Sequence, residues 1–469
     1  MPHRPRPRRP ASRPARPPRP VAPRNEAVGT EIELEVTGVA HGGVMVARHE
    51  GRVVFVSDAI PGERVRARVT DAKDRFWRAD TLEVLEASPH RQLHVWSEAS
   101  VDRDPEGRAG GAELGHIALP YQRELKRQVA ADALTRMHAL APAATSADDA
   151  SAADAPAVDI AAGTAADRTL LDRFTVQGLP GDDELAGTGW RTRLRLHVAD
   201  DGTVGPYAAR SHTVIPVRDL PLAAAELREA APLGQRLRQV ASIDLIAPSG
   251  GGAPLTVVTG RDGTRPELAP VVERVGDREF ALDALGFWQV HRLAARTLSD
   301  AVQRAIDETR FDPRAANLDL YGGVGLLAAA VGDRFGPTTR ITSVESYAPA
   351  TDFAARNLSD WVGARAVTGR VEQWVQGLAA NASVVERGRQ RAATVVLDPP
   401  RAGAGRAVVE ELIATGPAQL VYVACDPVAF ARDAALFRSA GYGIRWLEAF
   451  DLFPNTHHVE LVARLTPEG

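Results

Sequence analysis

The sequence predicts an α/β protein: a Rossmann-like doubly wound parallel sheet forms the C-terminal part, behind an OB-like β-barrel and an α+β central segment. Three observations carry this. From about residue 286, apolar runs of strand length (ANLDLY, ITSVES, ATVVLD, LVYVAC) alternate with helical stretches (LLAAAVGDRF, APATDFAARNL, GRAVVEELIAT, PVAFARDAALFRSA). That rhythm marks βαβ units and a sheet covered on both faces. Residues 28–88 instead hold short alternating strands broken by Gly/Pro turns, the pattern of a small closed barrel. The length of 469 residues, with 44% hydrophobic and 25% charged, suits a globular chain of about three domains.

Taken in order, residues 1–27 form a tail. Its first 25 residues hold eight arginines, nine prolines and no acid. Such a tail buries no apolar area and is expected to be disordered. It carries +8 against −12 for the rest of the chain, and reads equally as a clamp on nucleic-acid phosphate or as a solvated tail. In the barrel, EIELEV alternates Ile32, Leu34 and Val36 against glutamates, RVVFVSDAIPGERVRARV gives two strands around Pro61–Gly62, and TLEVLEA gives another. Residues 89–285 form the central domain, with a helix over YQRELKRQVAADALTRM and a flexible Ala/Asp insertion at 142–167. There Arg191, Arg193 and Arg195 alternate with Thr192, Leu194 and Leu196, giving a basic strand face, solvated or in contact with phosphate. Residues 286–469 form the α/β domain.

One cysteine, Cys425, excludes an intramolecular disulfide and a multi-cysteine metal site. No uncharged apolar run approaches a membrane span, and MPHRPRPRRP lacks the apolar core of a signal peptide. A cytoplasmic protein without membrane association is expected, monomeric by default.

Four motifs carry chemistry. LDLYGGVGLLAAAV puts Gly322, Gly323 and Gly325 between a strand and a helix, where glycine lets the backbone approach an adenosyl ligand. Glu345, ending the next strand, can accept ribose hydroxyls. The pair suits S-adenosylmethionine as well as NAD, and a plain tight turn remains the bland alternative. TVVLDPPRAG presents Asp398 at the carboxyl edge of the sheet, stiffened by two prolines. LVYVACDPVAFARD puts Cys425 at another strand end, where the helix beyond Asp426-Pro427 would favour a thiolate; the alternative is a buried small hydrophobe. AFDLFPNTHHVELVARL puts Glu460 at the start of a final strand. His457 and His458 are adjacent and do not easily share one ion, so no metal is expected.

Together these motifs resemble the RNA uracil-5-methyltransferase family, which makes 5-methyluridine in tRNA or large-subunit ribosomal RNA. The resemblance runs from about residue 28 to the C-terminus. The barrel looks like a TRAM domain, and GPYAARSHTVIPVRDLPL is similar to the family's central RNA-binding domain. FWQV at 287–290, DLYGGVG, DPPRAG, YVACDP followed by ARD, and FPNTHHVE follow the family's catalytic motifs in order. The resemblance implies a class I methyltransferase domain, adenosylmethionine as methyl donor, and structured RNA with a flipped uridine as partner. It implies Cys425 as nucleophile and Glu460 as general base. Gln289, Tyr321, Gly323, Gly325, Glu345 and Asp398 would line the cofactor and base pocket.

The sequence departs from the family at several points. Many members hold a four-iron cluster near CGGC; here the matching stretch is RAGGAELGH, with Ala109 and Ala112 at cysteine positions, so no iron–sulfur cluster is expected. Gly322 replaces a cysteine, Asp426 an asparagine and His291 an asparagine. The extra barrel leans toward ribosomal RNA. Two other readings stay open: an exocyclic amino methyltransferase, which needs no thiol, and an RNA-binding or folding factor with secondary catalysis.

Overall fold

A computed structural model describes residues 27–140 and 165–468. The Arg/Pro tail and nearly all of the Ala/Asp insertion lie outside the described residues.

The barrel closes from five strands: β1 (Glu31–Ala40), β2 (Val44–His49), β3 (Arg52–Ser57), β4 (Arg64–Ala72) and β5 (Phe76–Glu86), in the order β1-β2-β3-β5-β4. Alternation sends Leu34, Val36, Val54, Val56, Val65 and Ala67 inward. Each such Leu or Val side chain gains about 1.5–3 kcal/mol on full burial, and the outward glutamates and arginines of β1 and β4 stay solvated. The structure adds β2, which sequence reading passed over. It also separates the strands flanking Pro61–Gly62: β5 lies between them, parallel to β3 and antiparallel to β4.

Helix α1 (Leu119–Arg136) follows, then α2 (Ala165–Arg173), β6 (Val176–Gln177), β7 (Arg193–Val198), β8 (Val204–Gly205), α3 (Ala225–Ala230), β9 (Val240–Ile246), β10 (Leu255–Gly260) and the hairpin β11 (Val271–Val275)–β12 (Arg278–Leu282). A four-stranded sheet, β10-β9-β7-β8, forms the central layer. The expected central domain does not hold together as one unit. Ala130, Ala133 and Leu134 of α1 pack into the core of the C-terminal α/β layer, and β6 pairs with its edge. The stretch around the insertion therefore belongs to that layer.

The C-terminal α/β domain runs α4 (Ala294–Ala305), β13 (Asn317–Leu320), α5 (Leu326–Phe335), β14 (Ile341–Glu345), α6 (Ala348–Asn357), β15 (Ala364–Thr368), α7 (Val371–Val375), α8 (Val384–Arg391), β16 (Thr394–Leu397), α9 (Gly405–Thr415), β17 (Gln419–Ala424), α10 (Pro427–Ser439), β18 (Tyr442–Phe450) and β19 (Glu460–Pro467). Its sheet has the order β15-β14-β13-β16-β17-β19-β18-β6. Every residue of β16 and β17 is buried, as both faces carry helices. The sheet is not parallel throughout: β19 inserts antiparallel between β17 and β18. The chain between β18 and β19 is only a short loop, and a short connection cannot make a parallel crossover.

Candidate active site

The antiparallel last strand brings the site together. β13, β14, β16 and β17 end at one edge of the sheet, and β19 starts there. Ala424 pairs with Leu461 in the β17–β19 register, so one step further Cys425 stands across from Glu460. Asp398 follows β16, its amide bonded to the Leu320 carbonyl at 3.2 Å. A cavity of about 710 Å³ opens at this edge, within the usual range for small-molecule sites. Cys425, Glu460, Asp398, Tyr321, Gly323, Glu345 and Gln289 all line it. Gly325 does not; it caps α5 behind the turn.

The turn after β13 explains its glycines. Tyr321, Gly323 and Gly325 all have positive φ, at +63°, +54° and +90°, a region costly for most side chains. At Gly322 the constraint is space: a Cβ there would lie 2.0 Å from Ser343 Oγ and 2.5 Å from Asp319 Oδ2. Glu345 accepts the Gly323 amide at 3.2 Å and the Tyr347 amide at 2.7 Å, which fixes its carboxylate at the cavity wall. Bare backbone, an anchored acid and room beside them fit an adenosyl group. The Tyr321 hydroxyl is buried without a hydrogen-bond partner in the structure.

Electrostatically the site is a cluster of reluctant acids. Burial, and then the neighbouring Asp319, push Asp398 up to about 7. Burial and the Asp398 charge raise Glu460 well above the usual carboxylate range. Burial also raises Asp319, to about 6. The expectation that the helix after Cys425 would favour a thiolate is corrected: burial, with Glu460 and Asp398 beside it, pushes the thiol up to about 12. A helix end offers a partial charge, smaller than the full charges nearby.

Other residues join the site from a distance. Of the three alternating arginines, Arg193 pairs with buried Glu273 at 2.9 Å and Arg195 with Asp244 at 2.8 Å. Only Arg191 reaches the cavity. Arg401 bonds His458 Nε2 at 3.1 Å, and both line the cavity. Burial drives His458 down to about 3, so it is neutral and can accept that bond. Asp426 caps α10 through the Ala429 amide at 2.8 Å and pairs with His41 of the barrel at 2.9 Å. Sequence reading named Arg191 in its basic stripe without separating it from Arg193 and Arg195, and missed Asp319 and His41, for which the Asp in LDLY was the one local signal.

An iron–sulfur cluster does not fit here. Ala109 and Ala112 are buried in an apolar cluster with Trp96 and Trp190, and no thiolate is within it. Among the described residues no group of three or more His, Cys, Asp or Glu is arranged for a metal, and no helix is long and apolar enough to cross a membrane.

Comparison with known proteins finds relatives along most of the chain. Residues 26–82 match the TRAM domain, and residues 318–466 match the family described as tRNA (Uracil-5-)-methyltransferase. An RNA methyltransferase of Streptomyces avermitilis, described as uncharacterized, is 37% identical, over 94% of this chain and 99% of its own. One from Streptomyces coelicolor, described likewise, is 36% identical over 96% of this chain and 95% of its own. The fold is that of the Pyrococcus abyssi tRNA (uracil-54, C5)-methyltransferase, solved with S-adenosyl-L-homocysteine: TM-score 0.63 at 20% identity, over 92% of this chain and 100% of that one. The chain belongs to the family of RNA methyltransferases that join a TRAM domain to a tRNA (uracil-5-)-methyltransferase catalytic domain.

Proposed function

We propose that this adenosylmethionine-dependent RNA methyltransferase acts on carbon 5 of a uridine, in ribosomal RNA rather than tRNA, through a covalent Cys425–uracil adduct resolved by Glu460. The observation that carries the reading is the single cavity in which Cys425 and Glu460 stand across one β-register from each other, beside the Gly323–Glu345 turn. A cytoplasmic, monomeric enzyme is part of the same reading.

Carbon 5 of uracil is a weak nucleophile. Addition of the Cys425 sulfur to carbon 6 turns the ring into an enolate with a nucleophilic carbon 5, splitting one hard step into easier ones. Cys425 rests protonated, so as sulfur adds its proton passes to Asp398, whose raised proton affinity lets it hold one, and it returns to the sulfur when the thiolate is expelled. Glu460 and Asp398 are the carboxyl groups whose charge acts on that thiol. Adenosylmethionine, when bound, supplies an electrophilic methyl group. Glu460 then takes the proton from carbon 5, and the thiolate is expelled. A base held above the usual carboxylate range is better matched to this at neutral pH. The uridine has to leave its stack to reach the sheet edge; the barrel and central domain hold the RNA around it.

The test is incubation with adenosylmethionine and 5-fluorouridine transcripts of tRNA and ribosomal RNA. Fluorine at carbon 5 does not leave as a proton, so the adduct persists. Mass spectrometry should find RNA on Cys425, preferentially with ribosomal RNA. Methyl transfer to ordinary RNA without an adduct would move the enzyme to the amino-methylating class.

A further inference from the structure

The barrel reaches the catalytic cysteine. The β1–β2 hairpin turns through Gly42 and Gly43, with φ of +87° and +75°. Its tip lies so close to the loop before β19 that a Cβ on Gly43 would sit 2.7 Å from the His457 Cβ. His41, at the same tip, bonds Asp426, the residue after Cys425. Between hairpin and catalytic domain lies a second cavity of about 150 Å³. Val39, Leu125, Val129 and Val459 give it apolar walls. Arg401, Cys425 and His458 line both this cavity and the reaction pocket, and so form the partition between them. The mechanism above leaves the second cavity unused.

We propose that this cavity is a subsite for the base of a nucleotide flanking the target uridine, with the barrel hairpin as its outer wall and a preference for a single-ring base. The inference rests on the reading of Cys425 as the centre of an RNA-directed reaction. Extruding a base strips its neighbour of a stacking partner, and splayed bases in single-stranded RNA are held in pockets of apolar and aromatic side chains. A cavity of about 150 Å³ takes one six-membered ring. Arg401 makes no ion pair among the described residues, and it stands on the partition, where the phosphate between two adjacent nucleotides would pass. The His41–Asp426 bond holds the wall shut. It depends on the aspartate that stands here in place of the family's asparagine, which gives the histidine a charged partner.

The experiment is photocrosslinking of the full chain to tRNA and ribosomal RNA transcripts uniformly substituted with 4-thiouridine, with crosslinked peptides mapped by mass spectrometry. The expected result is a crosslink on the peptide spanning residues 39–43. Ala40→Trp, which fills the cavity, should abolish it and lower kcat/KM for methylation about tenfold, the worth of one bound base. His41→Ala, which frees the wall without filling the cavity, should weaken the crosslink without abolishing it. Crosslinks that all fall outside 39–43, or an Ala40→Trp enzyme matching wild type in both readouts, would overturn the subsite. Crosslinking needs neither thiol nor methyl donor. A hairpin crosslink without a Cys425 adduct removes only the proposed reaction, an adduct without a hairpin crosslink removes only the subsite, and the absence of both adduct and hairpin crosslink removes both.

Discussion

Asp398 raises the proton affinity of Glu460 across the reaction cavity. Burial alone makes each acid reluctant to ionise, and ionising one makes the other harder to ionise, so the pair holds a proton into the neutral range. A base that works only when ionised gives a rate that climbs with pH. We expect kcat/KM to rise through an apparent pKa near 7, the value Asp398 reaches. Asp398→Asn removes the charge and should move the rising limb to lower pH, whatever it does to the maximal rate. A pH–rate profile with an unmoved limb would separate Asp398 from Glu460.

The same shift has a stability consequence. The folded-state pKa of Asp398 is raised above its unfolded value of 3.8, to about 7. Its contribution to stability is therefore fully present below about pH 4 and lost as pH rises through about 7. Asp398→Asn lacks that loss. Its melting temperature should exceed that of wild type by more at pH 8 than at pH 5, read by calorimetry without RNA or cofactor.

Cys425 should be a slow thiol in the resting enzyme. Burial and two carboxylates hold it near 12, and the thiol form does not react with alkylating agents. Iodoacetamide labelling at neutral pH should be slow, and faster in Glu460→Gln, where one opposing charge is gone. Cys425→Ala should abolish turnover with adenosylmethionine binding intact by calorimetry. Glu460→Gln should accumulate a methylated RNA adduct, visible as a shifted band on a denaturing gel.

How much of this was legible beforehand follows from distance along the chain. The Gly323–Glu345 turn, Asp398 and Cys425 each sit at the end of an apolar strand, and local pattern is enough to place them. The barrel strand β2 was passed over because its apolar residues run together from Val44 to Ala47, so the alternation that buries Met45 and Ala47 shows only once the barrel closes. Nor was the antiparallel insertion of β19 legible, since it is decided by where its edge pairs. The partners of Arg193 and Arg195 lie 80 and 49 residues away, and those of His41 lie 385 away. A stripe that looks basic in sequence is largely neutralised by acids no local pattern reveals. The Cys425 pKa was misjudged because burial, its main cause, and the strand register that sets Glu460 across from the thiol are both decided by tertiary packing.

Gly322 offers a test of how this chain diverged from its relatives. The family's cysteine at this position would need the space that Ser343 and Asp319 fill with their 2.8 Å hydrogen bond. Gly322→Cys should destabilise the protein by about 1–3 kcal/mol, the usual cost of overpacking. Adding Ser343→Gly should recover much of it, measured by urea denaturation. Equal stability of wild type and Gly322→Cys would mean the turn yields more readily than its packing indicates.

Helix α1 supplies the last device, a buried ion pair that sets the loop leading into Glu460. Lys126 Nζ donates to Asp451 Oδ1 at 2.5 Å and to the Phe453 carbonyl at 3.1 Å, and both charged side chains are almost wholly buried. Gln122, one turn earlier, accepts the Asn455 amide at 2.9 Å. The helix thus holds the 451–459 loop from within, and Glu460 and His458 take their positions from that loop. Lys126→Met leaves Asp451 with only Arg123, at 3.6 Å, and should cost about 3–5 kcal/mol, as breaking a buried pair does. Replacing both partners, Lys126→Met with Asp451→Leu, should restore most of the stability, since matched apolar groups carry no desolvation cost. It should not restore kcat, because the bond from Lys126 to the Phe453 carbonyl is gone; that carbonyl keeps only the Thr456 amide and hydroxyl of its own loop, and Gln122 is left as the tie from α1 to the loop. If stability and kcat recover together, the pair serves the fold alone; if kcat stays low while adenosylmethionine still binds, α1 positions the base.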